Sequence, residues 1–476
     1  MVNDTLTLFL NQFAAPVVRK EYLKLLQKHC GIDLAKVTFV GHHNAHFSTG
    51  YFGSGFGLTR EPVLGFTLDG GGDSITSTVW YAKGVKIKPI SKTTFETSLG
   101  YFYMYTTYYL GLKPVEDEYK LMGLAPYAPQ HKVDKLLVKL QELIRVDRKS
   151  LTFKSSINTN IFYQYMPKLY KYERFDVIAA AVQQLTEQKI YEWIEAALSR
   201  YKANLLVTGG GVFSNVKVNQ KILSNSKVKK AFFAPSPGDE TNSLGACYWK
   251  FHQIFPKRIP KPITNLYLGP RASKEEINKS LKKAQKLGFK VTKPMNINDK
   301  IAKLLAKGGI VARFTGKLEF GARALGNRSI LADASRLEVK DILNKMIKSR
   351  DFWMPFAPAI LDTFKKKYLV NPKNIKSPFM MIAFDTTTEG VHDLAAAVHP
   401  YDKTARAQIV SQADNAEFWD LLKRFYKLTG KYGILNTSFN LHGEPIVCTP
   451  RDALNTLQRS GLKYLQIEDY LIEKNG

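Results

Sequence analysis

Cysteine is scarce. Cys30, Cys247 and Cys448 are the only three in 476 residues, and they lie far apart. They form neither a zinc-ligand spacing nor a disulfide framework, which fits a reducing compartment and a cytoplasmic protein. Long apolar runs are missing too; none approaches the roughly 20 residues of a membrane span. The opening residues, Met1 to Leu10, lack a basic stretch, so no signal peptide is expected. Repeats and low-complexity tracts are absent. Acidic residues are in short supply, 41 Asp and Glu against 69 Lys and Arg, leaving a net charge of +28. Such a surplus fits a general lysine bias, anionic substrates or a nucleic-acid surface. It is mostly lysine and is spread along the chain, so a nucleic-acid partner is not expected.

What is present is an ordinary apolar content of 45%, enough for a sizeable core, over a length that predicts two or three domains. The densest chemical signal is Lys317-Leu-Glu-Phe-Gly-Ala-Arg-Ala-Leu-Gly-Asn-Arg-Ser-Ile330, which follows the strand-like run Gly309–Phe314. Arg323 and Arg328 can clamp an oxyanion, and Gly321 and Gly326 let backbone N–H groups approach it. A basic surface loop is the other reading.

The first forty residues read as one helix, with Val17, Val18, Tyr22, Leu23, Leu25 and Leu26 near helical spacing. Val63–Leu68 reads as a strand, Asp69–Asp73 as a tight glycine turn and Ser74–Tyr81 as the returning strand. Asp176–Tyr201 reads as a long helix, and Leu205–Val207 as a buried strand leading into Gly209-Gly-Gly211. The alternation of strands and helices predicts an α/β architecture. A linker is expected at Phe255–Pro262, with a second α/β domain beyond about Tyr267.

Gly41-His42-His43-Asn44-Ala45-His46 sets His42 and His46 four apart, on one face if helical. Packing or capping would explain the pair equally well, and Asp69 and Asp239 could be solvated turn residues. Together the four would make a two-His, carboxylate set suited to Fe or a similar divalent ion. Gly70, Gly71 and Gly72, and Gly209, Gly210 and Gly211, follow strands and could present N–H groups to phosphates. Lys348, Arg350, Arg406, Ser438 and Asn440 add donors to the second domain. With Lys317, Arg323 and Arg328 they would form a dense anion pocket.

These motifs run in one order. They are His-His-x-Ala-His (42–46), Asp-Gly-x-Gly (69–72), Glu118-Tyr-Lys-Leu-Met-Gly-Leu-Ala-Pro-Tyr127, Gly-Gly-Val-x-x-Asn (210–215) and Gly238-Asp239. The Glu319–Ser329 run, Pro355-Phe-Ala-Pro358, Thr404-Ala-Arg-Ala-Gln408 and Leu435–Ile446 follow. In that order they resemble the nodulation and antibiotic O-carbamoyltransferase family. The resemblance implies an actin-like carbamoyl-transfer domain over residues 1–260. A mixed α/β, threonylcarbamoyl-adenylate-synthase-like domain would occupy residues 267–476. The second would form carbamoyl adenylate from carbamoyl phosphate and ATP, with Mg2+ accompanying the ATP. The first would pass the carbamoyl group to a hydroxyl of a small molecule. His42, His46, Asp69 and Asp239 would hold Fe(2+) or a similar ion. Lys317, Arg323, Arg328, Lys348, Arg350, Arg406, Ser438 and Asn440 would carry the chemistry, and Lys120, Asn215 and the six glycines would bind the nucleotide.

Two departures stand out. The family's usual first 80–90 residues are not seen, so the actin-like domain is expected to be incomplete at its N-terminus. Val63 and Gly65 should then lie on an exposed sheet edge. Met354 stands where an arginine is usual. Expected partners are the small-molecule acceptor, an N-terminal polypeptide encoded upstream and a second copy as a homodimer; no membrane is expected. The rival readings are a tRNA threonylcarbamoyl-transfer-like protein and a non-catalytic subunit of a split carbamoyltransferase.

Overall fold

The computed structural model describes residues 17–474. Two sheets organise them. The first has five strands in the order β3-β2-β1-β6-β7. β1 (Val63–Gly72), β2 (Ile75–Lys83) and β3 (Lys86–Thr94) form an antiparallel meander. A small ribbon follows, β4 (Ile144–Asp147) with β5 (Thr152–Ser155). β6 (Leu205–Gly209) and β7 (Lys230–Phe233) then add in parallel beside β1. Both faces are covered. The helix Phe175–Tyr201 sets Trp193 against Phe66, ring centroids 5.0 Å apart. The helix His42–Ser54 lies on the other face, where Phe47 stacks between Tyr51 and Trp80. That helix can approach so closely because Gly50 sits against the carbonyl of Thr208, where a side chain would clash.

The second sheet has eight strands in the order β14-β11-β15-β10-β9-β16-β17-β8. They are β8 (Lys290–Thr292), β9 (Val311–Phe314), β10 (Arg328–Ala332), β11 (Ala357–Leu361), β14 (Gln408–Val410), β15 (Gly433–Ser438), β16 (Tyr464–Ile467) and β17 (Tyr470–Glu473). A two-residue pair, β12 (Phe384–Asp385) with β13 (Thr404–Ala405), stands apart. The architecture is α/β.

Three expectations are corrected. β1 is not an edge: it is bonded to β2 on one side and β6 on the other, and Val63 is fully buried. β6 returns through a long helix to take that position. The edges are β7 and β3, and Lys86, Lys88, Pro89 and Lys92 of β3 discourage edge-to-edge pairing. The hairpin does not turn at Asp69–Asp73. β1 runs on to Gly72 with an irregular register after Leu68, and the turn falls on Asp73 and Ser74, both at positive φ. Lastly, the first forty residues are not one helix. The helix described over 17–30 ends at Gly31, φ 63°, and residues 1–16 lie outside the described residues. Val17, Val18, Tyr22 and Leu25 on it are exposed.

The segment 255–262 has no helix or strand and is held near its end, where Tyr248 donates its hydroxyl to Lys261 O at 3.0 Å. Ile263 donates its N–H to Gly53 O at 2.9 Å, and Phe320 N–H bonds Leu266 O at 2.7 Å, so the connection is pinned to both sheets' units. The units also meet directly. Asn219 Nδ2 donates to Met381 O at 2.7 Å, and Lys217 pairs with Asp402 at 3.0 Å. No helix among the described residues is long and apolar enough to cross a membrane.

Candidate active site

His42 opens the helix His42–Ser54, its backbone N–H fixed by Asp73 Oδ2 at 2.7 Å. One turn later His46 presents Nε2 to His42 Nε2 at 3.0 Å. Asp69 leaves β1 where its register breaks, and Asp69 Oδ2 lies 3.1 Å from His46 Nε2 and 3.8 Å from His42 Nε2. Asp239 Oδ1 closes the group from an exposed loop, at 3.6 and 3.4 Å. One donor atom from each of the four lies within 4.8 Å of every other. Two imidazoles and two carboxylates converging on one point fit a divalent ion such as Fe, Mn or Zn.

The glycine runs build this cluster. Gly211 N–H donates to Asp69 Oδ2 at 3.0 Å and Gly70 N–H to Asp69 Oδ1 at 2.6 Å. Gly209 lies on the backbone of His46, Gly210 (φ 100°) on Leu68, and Gly71 beside the Tyr101 hydroxyl. Burial disfavours the charged form of Asp69, but hydrogen bonds to His42, His46 and Gly211 outweigh it and hold the carboxyl far below its usual range. Burial likewise opposes the His46 imidazolium, yet Asp239 and Asp69 raise its pKa overall. His43 points elsewhere. It bonds Thr67 Oγ1 and Ile75 O, and burial lowers its pKa to about 4. Asn215 caps the helix Val216–Ser224 and is held by Gln183, while Lys120 is held in ion pairs with Asp117 and Asp351.

A second cluster forms in the other unit. Arg323, Arg350 and Arg406 line one pocket with Asn436, Thr437 and Ser438, and no carboxylate lines it among the described residues. Arg350 Nη2 donates to Thr437 Oγ1 at 3.1 Å, and its guanidinium lies over Phe356. Arg406 Nε is buried with no partner. Burial, reinforced by Arg323 and Arg350, pulls the Arg406 pKa well below normal, and burial takes Arg350 to about 10. Beside them Lys348 Nζ donates to Ser438 O at 2.5 Å and Asn440 Oδ1 at 2.7 Å. Burial, with repulsion from Arg350, lowers its pKa well below normal. Crowded, desolvated cations of this kind suit an anion.

Two expected members are elsewhere. Lys317 is exposed and does not line this pocket. Arg328 turns inward, donating to Thr315 O at 2.6 Å and Gly316 O at 3.2 Å over the ring of Phe314. Its guanidinium is spent on backbone carbonyls, so it shapes the loop. Sequence reasoning missed Glu319. Its buried Oε1 accepts the N–H of Leu325 and Asn327 at 2.8 Å and of Arg328 at 3.2 Å, folding the run that presents Arg323. The spacing Glu-x5-Leu-Gly-Asn-Arg, an acidic residue ahead of a glycine turn, was the available signal. Gly321 in that run packs on Ser236, so the arginine loop touches the loop that carries Asp239.

An anion pocket of arginines in one α/β unit and a His/Asp cluster in the other suit group transfer from an activated phosphate. The chain matches the family models described as Carbamoyltransferase N-terminus over residues 2–248 and Carbamoyltransferase C-terminus over 302–474. It belongs to the carbamoyltransferase family and is a transferase enzyme. It is 31% identical over 481 residues to the uncharacterized protein sll1178 of Synechocystis sp., covering 93% of this chain and 77% of that protein. Nodulation protein NolO of Bradyrhizobium diazoefficiens is 30% identical over 441 residues, covering 91% and 79%. Among solved structures, HypF of T. kodakarensis aligns over 49% of this chain and 39% of that one, at 13% identity and a TM-score of 0.29, a similarity too slight to bear on the fold.

Proposed function

We propose that this protein is an ATP-dependent O-carbamoyltransferase. The pocket of Arg323, Arg350 and Arg406, with the unpartnered Nε of Arg406, is the observation that carries the reading. Three fixed cations suit carbamoyl phosphate and the phosphates of ATP. In this reading residues 267–476 make the adenylate. Carbamoyl phosphate gives carbamate and inorganic phosphate with one water, and a carbamate oxygen displaces pyrophosphate from the α-phosphorus of ATP. The arginines hold and neutralise the phosphates, and Lys348, held by Ser438 and Asn440, adds positive charge behind the same edge. The unit 1–260 passes the carbamoyl group to a hydroxyl of a small molecule. His42, His46, Asp69 and Asp239 would hold Fe(2+) or a similar divalent ion, supplying Lewis-acid polarisation of a phosphate oxygen. Mg2+ would accompany ATP.

The test is pyrophosphate release by the purified chain with ATP and carbamoyl phosphate. Release that needs both substrates, and falls by about 10²-fold or more in Arg406→Ala, is expected for loss of one preorganised charge-stabilising donor. Release equal to that without carbamoyl phosphate would overturn the reading.

A further inference from the structure

The helix Asn242–Ile254 lies along the helix His42–Ser54, and Gly245 lets it come close: a β-carbon there would overlap the carbonyl of Ala45. Thr49 Oγ1 pins the same end by donating to Thr241 O at 3.1 Å. Asn242, the first residue of the helix, is thereby held beside both histidines. Its Nδ2 lies 3.3 Å from Asp239 Oδ1, 3.4 Å from His42 Nδ1 and 3.5 Å from His46 Nε2. Its Oδ1 is buried without a partner among the described residues.

His42 gives Nε2 to the cluster, 3.0 Å from His46 Nε2 and 3.6 Å from Asp239 Oδ1, and Nδ1 to Asn242. With a metal on Nε2, the proton of a neutral imidazole sits on Nδ1. Nδ1–H and the amide Nδ2 are then two donors face to face, and no hydrogen bond joins them. A half-turn of the amide about χ2, a soft two-fold torsion, exchanges its oxygen and nitrogen. Oδ1 gives up no hydrogen bond by leaving its place, and it arrives as an acceptor opposite Nδ1–H. Asp239 Oδ1, released by Nδ2, is free to serve as a ligand. His46 has no such arrangement, because its Nδ1 is buried with no partner among the described residues.

We propose that Asn242 is a positioning residue of the His/Asp site, its amide oxygen accepting the Nδ1–H of His42 so that Nε2 is fixed towards the ion. Ligating histidines are commonly held this way, and loss of the holding group costs about 10- to 100-fold in metal affinity. This rests on reading His42, His46, Asp69 and Asp239 as a metal site.

Cobalt(II) is the probe, since it suits a mixed imidazole and carboxylate set and shifts the ring protons of its ligands out of the crowded part of a proton NMR spectrum. The full chain, stripped of metal and reloaded with Co2+, should take up about one equivalent and show a shifted, exchangeable N–H signal from each ring. Asn242→Leu should bind Co2+ about 10- to 100-fold more weakly. It should keep the signal of His46, which is fully buried, and lose that of His42 to exchange with water. Asn242→Asp, isosteric and still an acceptor, should keep both signals, and it carries the test if Asn242→Leu does not fold. Unchanged affinity in Asn242→Leu, both signals kept in it, or a His42 signal lost in Asn242→Asp each overturn the inference and leave the metal site standing. No Co2+ uptake by wild type, or uptake untouched by His42→Ala/His46→Ala, overturns the metal reading and Asn242 with it.

Discussion

The α-carbon of Gly72 lies against the imidazole of His42 so closely that a β-carbon there would overlap the ring. The glycine therefore sets the position of His42, and through it the distance from His42 to Asp69. Gly72→Ala should displace the ring and lower bound metal well below the wild-type stoichiometry. Metal analysis of the purified chain should show about one equivalent for a single four-ligand site, lost in a His42→Ala/His46→Ala double variant. Full metal retention by that double variant would place the ion elsewhere.

Glu319 is the fold's chief support for the arginine loop. One carboxylate oxygen satisfies three backbone N–H groups in a buried place. Glu319→Ala leaves those donors without a partner and should destabilise the chain by about 3 kcal/mol or more, since each buried unsatisfied group costs about 1–3 kcal/mol. Denaturant unfolding reads this directly. A loss under about 0.5 kcal/mol, the range of an ordinary surface substitution, would show that the loop holds its shape without Glu319.

How far the sequence can be read depends on range. The His42/His46 pairing is a local spacing and shows in the letters. The pairing of β1 with β2 shows as a hairpin, but its other neighbour does not, because β6 begins 133 residues after β1 ends, and nothing local announces that it will fill the side of β1 left open by the hairpin. Arg323 and Arg328 look alike in sequence, both in a run of small residues and glycines. Only tertiary placement separates them: the carbonyls of Thr315 and Gly316 claim Arg328, while Arg323 is left to the pocket. Arg350 and Arg406 come from segments far apart in the chain, so their meeting is a property of the second sheet. The glycine triplets read as turns that present N–H groups to phosphates; that Gly70 and Gly211 give theirs to Asp69 was not legible.

Arg406 should show opposed effects on stability and activity. Its guanidinium is buried beside two others with Nε unpartnered, which raises the free energy of the ligand-free protein. Arg406→Met keeps most of the volume and removes the charge. It should raise the melting temperature by several degrees while abolishing pyrophosphate release, the pattern of a binding site held at a cost in stability. A lower melting temperature would mean that Arg406 is a structural cation.

Lys348 supplies a prediction in protons. Burial and the Arg350 charge pull its pKa well below the ordinary value of a lysine, which is about 10.4. Above about pH 10.4 both folded and unfolded states are neutral at this position, and no stability difference arises. As pH falls below that, the unfolded chain takes a proton before the folded one does, so the folded state loses stability until its own lower pKa is reached. Wild type minus Lys348→Met stability should therefore decline as pH falls below about 10.4. An anion in the pocket reverses the penalty by favouring the ammonium, and so binding should draw a proton from solution. Sulfate is the suitable probe because it has no proton to exchange in this range. Titrations with sulfate just below the ordinary lysine pKa of about 10.4, in two buffers of different ionisation enthalpy, should show proton uptake by wild type and none by Lys348→Met. Identical heats in both buffers for wild type would mean that Lys348 does not change its charge when the pocket fills.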